Sequence, residues 1–233
     1  MTIGVCAFCA VTSVAALFLR EIKMGEQKLT GYPSTDKPWL KYYSKETLNY
    51  PLHRSTVYWF LENRVKDCLS KNAVSYFGKR ITYQMLLDKI KIVAAELSAL
   101  GVKAGDIVAV ALPNIPENIY IIYALNYIGA IADMIDLRSK GDVLRQYLSN
   151  SHAKGAVICD LFADNTLEVL DKTGISTVIV ASPFDSMPFY LRVLAGKNRS
   201  KLKYSSKIMP WKNFVSGNHA IPSHLPNPMP LRL

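Results

Sequence analysis

The residue types that ordinarily carry chemistry are sparse in this 233-residue chain, and their spacing excludes several mechanisms. Of the four histidines, His53, His152, His219 and His224, only the last two are close in sequence, and no carboxylate lies near that pair. A metal centre is therefore not expected. Cys6 and Cys9 have Cys-x-x-Cys spacing, but no second pair completes a zinc site and no strand–helix pattern flanks them. No GxGxxG, GxxxxGK[ST] or GxSxG run occurs, so neither a phosphate cradle nor a nucleophile elbow is legible. No catalytic, cofactor-binding or metal-binding residue is assigned. What remains is Asp133 and Asp136 flanking the end of an apolar run, with Leu137 and Arg138 just beyond. Ligands of open α/β sheets bind past the carboxyl ends of the strands, so Asp136, Leu137 and Arg138 are the candidate lining of a cleft. A water-exposed strand-end pair, or a cap for the next helix, fits the same residues.

The elements that would position them follow from periodicity. Ala73 to Phe77 and Arg80 to Tyr83 alternate around Gly78-Lys79, which predicts a hairpin. Thr82 can cap a helix over Tyr83–Leu100, whose apolar stripe is core and which Gly101 ends. Ser55–Ser70 is a further helix candidate, and Gly25–Pro51 reads as an extended lead-in. Ile107–Leu112 is a continuous apolar strand, as expected when both faces are buried. Asn114-Ile115-Pro116-Glu117 reads as a helix start with an Asn cap, and Gly129 closes that helix. Strands over 130–135, 156–159 and 177–180 alternate with helices that open near Ser139 and Leu161. Strand–helix alternation at this spacing predicts a doubly wound, mostly parallel α/β sheet. After Ser182 the pattern dissolves, and Pro222, Pro226, Pro228 and Pro230 argue against regular structure near the end. The sheet is therefore expected to have no strand after Ser182.

The expected organisation is an apolar segment at 1–24, an α/β subdomain at 25–182, a basic irregular stretch at 183–217 and a proline-rich tail at 218–233. Half of the chain is hydrophobic and a fifth charged, a globular composition. The net charge is +10. The stretch from Pro183 to Lys207 alone supplies half of that excess, and no aromatic-interleaved basic stripe points to nucleic acid. Four cysteines in a chain of this length form no disulfide framework, which suggests a reducing, cytoplasmic compartment. Ile3 to Leu19 is apolar apart from Thr12 and Ser13. As a helix it would span about 25 Å, short of the ~30 Å hydrocarbon core. It reads as residues preceding a start at Met24, as a membrane anchor, or as a buried helix.

Several motifs stand in a recognisable order. They are Lys37-Pro38-Trp39-Leu40, Ile81-Thr82-Tyr83, and the run from Leu100 to Val110 that contains Gly101-Val102 and Gly105-Asp106. Leu112-Pro113-Asn114-Ile115-Pro116-Glu117 and Tyr127-Ile128-Gly129-Ala130 follow. In this order and spacing the chain resembles the N-terminal part of AMP-forming acyl-CoA synthetases, the adenylate-forming enzymes. Asn150 to Lys154, and Trp211, Phe214 and Gly217, resemble later stretches, so the likeness covers about residues 37–217. Each motif alone is weak; five in register are fairly specific. The resemblance implies a partial N-terminal subdomain of the adenylate-forming fold. It also implies ATP-dependent acid–CoA ligase chemistry, in which a carboxylate becomes an acyl-adenylate that CoA then captures. ATP, Mg and CoA would be the cofactors of the full-length family. The family's phosphate loop, acidic AMP-binding segment and mobile C-terminal domain have no counterpart in this sequence. The chain is thus expected to be a truncated ligase, inactive alone, with a carboxylic acid substrate and CoA as partners only within a complete enzyme. The alternatives are a standalone binding or regulatory module, membrane-associated through the N-terminal segment, or one half of a split ligase.

Overall fold

A computed structural model describes residues 29–49, 55–170, 173–195, 202, 204–205 and 207–223. These fall into two compact units, divided after residue 53. The apolar run at 3–19 lies outside the described residues. No helix among the described residues is long and apolar enough to cross a membrane.

The described part of the first unit is not the extended lead-in expected from composition. It consists of helical turns at Pro33–Asp36, Pro38–Tyr42 and Lys45–Leu48. Asp36 ties the first turn down by accepting the N–H groups of Thr30 and Gly31 at 2.9 Å each.

The second unit opens with helix α1 (Val57–Arg64), capped by the Thr56 hydroxyl, which accepts the Trp59 N–H. It is shorter than the helix expected over 55–70. Strands β1 (Asn72–Tyr76) and β2 (Lys79–Thr82) form the antiparallel hairpin. Its turn is Phe77-Gly78, one residue earlier than expected, with φ of 49° and 83°. Two consecutive positive φ values match the right-handed twist of paired strands, and glycine takes such a value without strain. Thr82 then caps α2 (Tyr83–Ala99) as its sequence indicates, accepting the Met85 N–H at 3.3 Å.

The main sheet has five strands: β3 (Ile107–Ala111), β4 (Ile131–Met134), β5 (Gly155–Cys159), β6 (Thr177–Ala181) and β7 (Ile208–Pro210). Their order is β4-β3-β5-β6-β7, and every neighbouring pair is parallel. The expectation that the sheet has no strand after Ser182 is corrected by β7. Three residues are too few to show a hydrophobic period. Pro210 is tolerated because it ends an edge strand, where its missing N–H leaves no ladder bond unmade.

Crossover helices α3 (Pro116–Ile128), α4 (Gly141–Ser151) and α5 (Ala163–Leu170) link the first strands. Helix α3 starts at Pro116 with Ile115, not Asn114, as its cap residue, and no side-chain cap bond is made among the described residues. Gly129 ends it at φ 79°, donating its N–H back to the Asn126 carbonyl. The sheet separates two cores. Val108, Val110, Val157, Cys159, Ile179 and Ala181 point to the side covered by α2 and α3. Ala109, Ala111, Ala156, Ile158, Val178 and Val180 point to the side covered by α4 and α5. The strict alternation explains why these strands read as continuous apolar runs. Helices α6 (Phe189–Ala195) and α7 (Trp211–Phe214) complete the unit. Trp211 and Phe214 close the first core.

Candidate functional site

The connection leaving β3 crosses one face of the sheet, whereas the connection leaving β5 crosses the other. The gap between the carboxyl ends of β3 and β5 is thus the topological switch point, where open α/β sheets bind ligands. Asp136, Leu137 and Arg138 follow β4 at this same edge. They make a local turn: the Arg138 N–H donates to Asp136 Oδ1 at 2.9 Å, and its guanidinium forks onto the same carboxylate at 2.7–3.1 Å. Those hydrogen bonds from Arg138 hold the Asp136 carboxyl down at about 2. Leu137 instead packs partly against both cores. An open groove beside β4 is lined by Asp133, Asp136, Tyr147 and Asn150. It contains Asp136 but neither Leu137 nor Arg138.

A second concavity lies elsewhere. A cleft of about 420 Å³ opens on the face carrying α2 and α3, between that helix layer and the α6 and α7 segments. Ile81, Met85, Val93, Tyr120, Trp211 and Val215 supply apolar wall. Lys79, Lys89, Arg192 and Lys212 line it as well, and none of these cations forms an ion pair among the described residues. Glu117 and Ser186 also line it.

Glu117 is placed by the β3-to-α3 connection. Pro116 starts the helix, and the next residue turns its side chain into the protein, leaving it 1% exposed. Ser186, carried on the loop after β6, donates its hydroxyl to Glu117 Oε1 at 2.5 Å. Glu117 Oε2 is buried with no hydrogen-bond partner among the described residues. Burial is the main cause that pushes this carboxyl up to about 7, partly offset by the Ser186 hydrogen bond. Tyr120, one turn along, is likewise pushed up by burial, to about 12. From sequence Glu117 was legible only as a favourable first-turn acid. Nothing in a single sequence shows that the turn after β6 will bury it.

Two further polar contacts join parts distant in sequence. Glu96 on α2, 5% exposed, meets His219 Nδ1 at 2.8 Å. Gly217 lies so close that an added Cβ would fall 2.2 Å from Glu96 Oε2. His219, read from sequence as part of an exposed tail, is thus tied to the domain. Lys154 Nζ donates to the Gly101 carbonyl at 2.7 Å and to Asp106 Oδ2 at 3.0 Å. The Lys154 bond is the main cause that lowers the Asp106 carboxyl. This contact clamps the turn between α2 and β3 onto the start of β5.

Residues 61–216 match the family model described as AMP-binding enzyme. Among curated relatives, the chain is 26% identical over 161 residues to the long-chain-fatty-acid–CoA ligase of Bacillus subtilis (strain 168). That match covers 69% of this chain and 29% of the relative. It is 32% identical over 112 residues to the 2-succinylbenzoate–CoA ligase of Oceanobacillus iheyensis, covering 48% of this chain and 23% of the relative. Among solved structures, the anthranilate CoA ligase AuaEII in complex with anthranoyl-AMP superposes with a TM-score of 0.62 at 13% identity. This covers 76% of this chain and 31% of that one, so the likeness is one of fold. The chain therefore spans less than a third of the length of each of these relatives.

Proposed function

The chain belongs to the AMP-binding enzyme family, and from that premise we propose that it is the N-terminal sheet-forming part of an acid–CoA ligase that cannot form an adenylate by itself. The observation that carries this reading is the switch-point edge of the five-stranded parallel sheet, which has the family's fold but, among the described residues, presents acids where phosphate would have to bind. The crossover helices open at this edge: α4 and α5 bear an acid in the first turn, Asp142 and Asp164, and α3 starts on Pro116. A carboxylate there compensates the helix dipole and repels phosphate. Pro116 also removes one of the N–H groups that α3 would otherwise offer. The described residues thus do not fit the phosphates of ATP or the magnesium that accompanies them, and no step through them is assigned to these residues.

In a complete ligase this part would supply one wall of the cleft for the acid and CoA. Asp136, Leu137 and Arg138 remain our proposed lining, supported by their place beyond β4 at the ligand edge. The substrate class is a carboxylic acid. The named relatives act on unlike acids, and of these the Bacillus subtilis protein supports a fatty-acid substrate.

The test is ATP–pyrophosphate exchange by the purified chain, offered fatty and aromatic acids in turn. Exchange no greater than that of a boiled control is expected. Acid-dependent exchange above that control would show that an adenylate forms on this chain and would end the reading.

A further inference from the structure

We infer that the cleft between the α2–α3 layer and the α6–α7 segments binds an amphiphilic anion, an apolar body carrying one anionic head. This goes beyond the ligase reading, and its test uses neither ATP nor CoA.

Three observations converge on that ligand class. The cleft, about 420 Å³, is of small-molecule size and largely apolar in its walls. Four cations from four different elements line it: Lys79 on β2, Lys89 on α2, Arg192 on α6 and Lys212 on α7. They face the carboxyls of Glu117 and Asp185, so the cleft is positive whether or not Glu117 is charged. Carboxylate, sulfate and phosphate heads are what such a set of ammonium and guanidinium groups pairs with. A cationic head would meet four like charges.

The third observation is Glu117 itself. Buried polar atoms in folded proteins are nearly always hydrogen-bonded, yet Glu117 Oε2 has no partner among the described residues. Its fellow oxygen accepts the Ser186 hydroxyl. In the neutral acid the proton therefore resides on Oε2, and the side chain carries no charge beside the cleft. Its ionised form would instead repel that head. The other titratable groups near Glu117 are Tyr76 on β1 and Tyr120 on its own helix, both raised by burial and neutral near pH 7. Asp185, which accepts the Ser182 N–H, brings a second carboxyl group to the cleft. Glu117 titrates at about 7. It is therefore about 90% protonated at pH 6 and about 10% at pH 8, and binding that needs the acid form weakens about tenfold across that range.

The experiment is calorimetric titration of the 233-residue chain with octanoate, octyl sulfate and octylamine. Trp211 fluorescence, with Trp39 and Trp59 replaced by phenylalanine, provides a local readout. Saturable binding of both anions with a Trp211 change is expected, and none for octylamine. The double substitution Lys79→Glu with Lys212→Glu, at two exposed positions, is expected to weaken octanoate at least tenfold with an unchanged circular dichroism spectrum. Glu117→Gln, of similar size and permanently neutral, is expected to bind at pH 6 and pH 8 alike. Absence of saturable binding by either anion overturns the proposal. Octylamine binding equal to octanoate, or a folded double-lysine variant of unaltered affinity, overturns it as well. Binding of octanoate but not octyl sulfate narrows the head to a carboxylate and still supports the site.

Discussion

Replacing Glu117 with glutamine should change how the stability of this chain depends on pH, by an amount the structure sets. A carboxyl that titrates near 4.5 in the unfolded chain is carried up to about 7 in the folded one by burial. Between those values the folded state holds a proton that the unfolded state has released. The stabilisation from this group is therefore complete below about pH 4.5 and is lost as pH rises through 7. At about 1.4 kcal/mol for each pH unit, the loss is roughly 3 kcal/mol. That is a large part of the margin of a typical domain, 5–15 kcal/mol by order of magnitude. Glutamine keeps the shape and can still accept from Ser186, but it cannot ionise. Urea unfolding of both proteins at pH 5 and pH 8 measures the effect. The stability of Glu117→Gln relative to the parent should rise by roughly 2–3 kcal/mol from pH 5 to pH 8. Other titrating groups cancel in that difference. Parallel profiles would mean that Glu117 is hydrated or already ionised in the folded state, and the argument from its burial would fail.

Gly217→Ala should push the Glu96 carboxylate off His219, since the new Cβ would lie 2.2 Å from Glu96 Oε2. The expected cost is on the order of 1 kcal/mol, because the carboxylate is a flexible side-chain end that can swing away and His219 is half exposed. A urea midpoint lowered alike by Gly217→Ala, His219→Ala and the pair together would confirm the shared contact; additive losses would refute it. The Cys159 thiol, pushed by burial up to about 11, should resist alkylation at pH 8 in the native protein and react once unfolded in urea. Peptide mapping by mass spectrometry distinguishes it from the other cysteines. Labelling at equal rates in both states would contradict its burial.

The parallel sheet was legible because its cause is local. Ile107 to Ala111 is apolar on both faces because helices cover both faces, and that condition is written into five consecutive residues. Thr82 and Gly129 likewise act within one turn of chain, Thr82 starting α2 and Gly129 ending α3 where their residue types indicate. Asn114 reads as a cap by type, but Pro116 sets the helix start and Ile115 occupies the cap position. The hairpin was foreseen but its turn was misplaced by one residue, since both Phe77 and Gly78 take positive φ and only glycine announces that preference. Strand β7 escaped notice because an edge strand of three residues owes its existence to pairing with β6, a partner separated from it by α6 and the basic stretch.

The candidate sites divide along the same line. Asp136, Leu137 and Arg138 could be placed at the ligand edge because a strand's direction and its end are properties of the local sequence. That Arg138 then folds back onto Asp136, while Leu137 turns toward the cores, is set by the turn they form. The cleft is wholly tertiary. Its walls come from β2, α2, α3, the loop after β6, α6 and α7, and no pair of these is related by a period in the sequence. Glu117 illustrates the difference: its residue type and first-turn position are local, but its burial, its Ser186 partner and its raised titration exist only once residues 69 positions apart are brought together. Desolvation depends on everything that surrounds a group, so a charge can be read from sequence while its free energy waits for the fold.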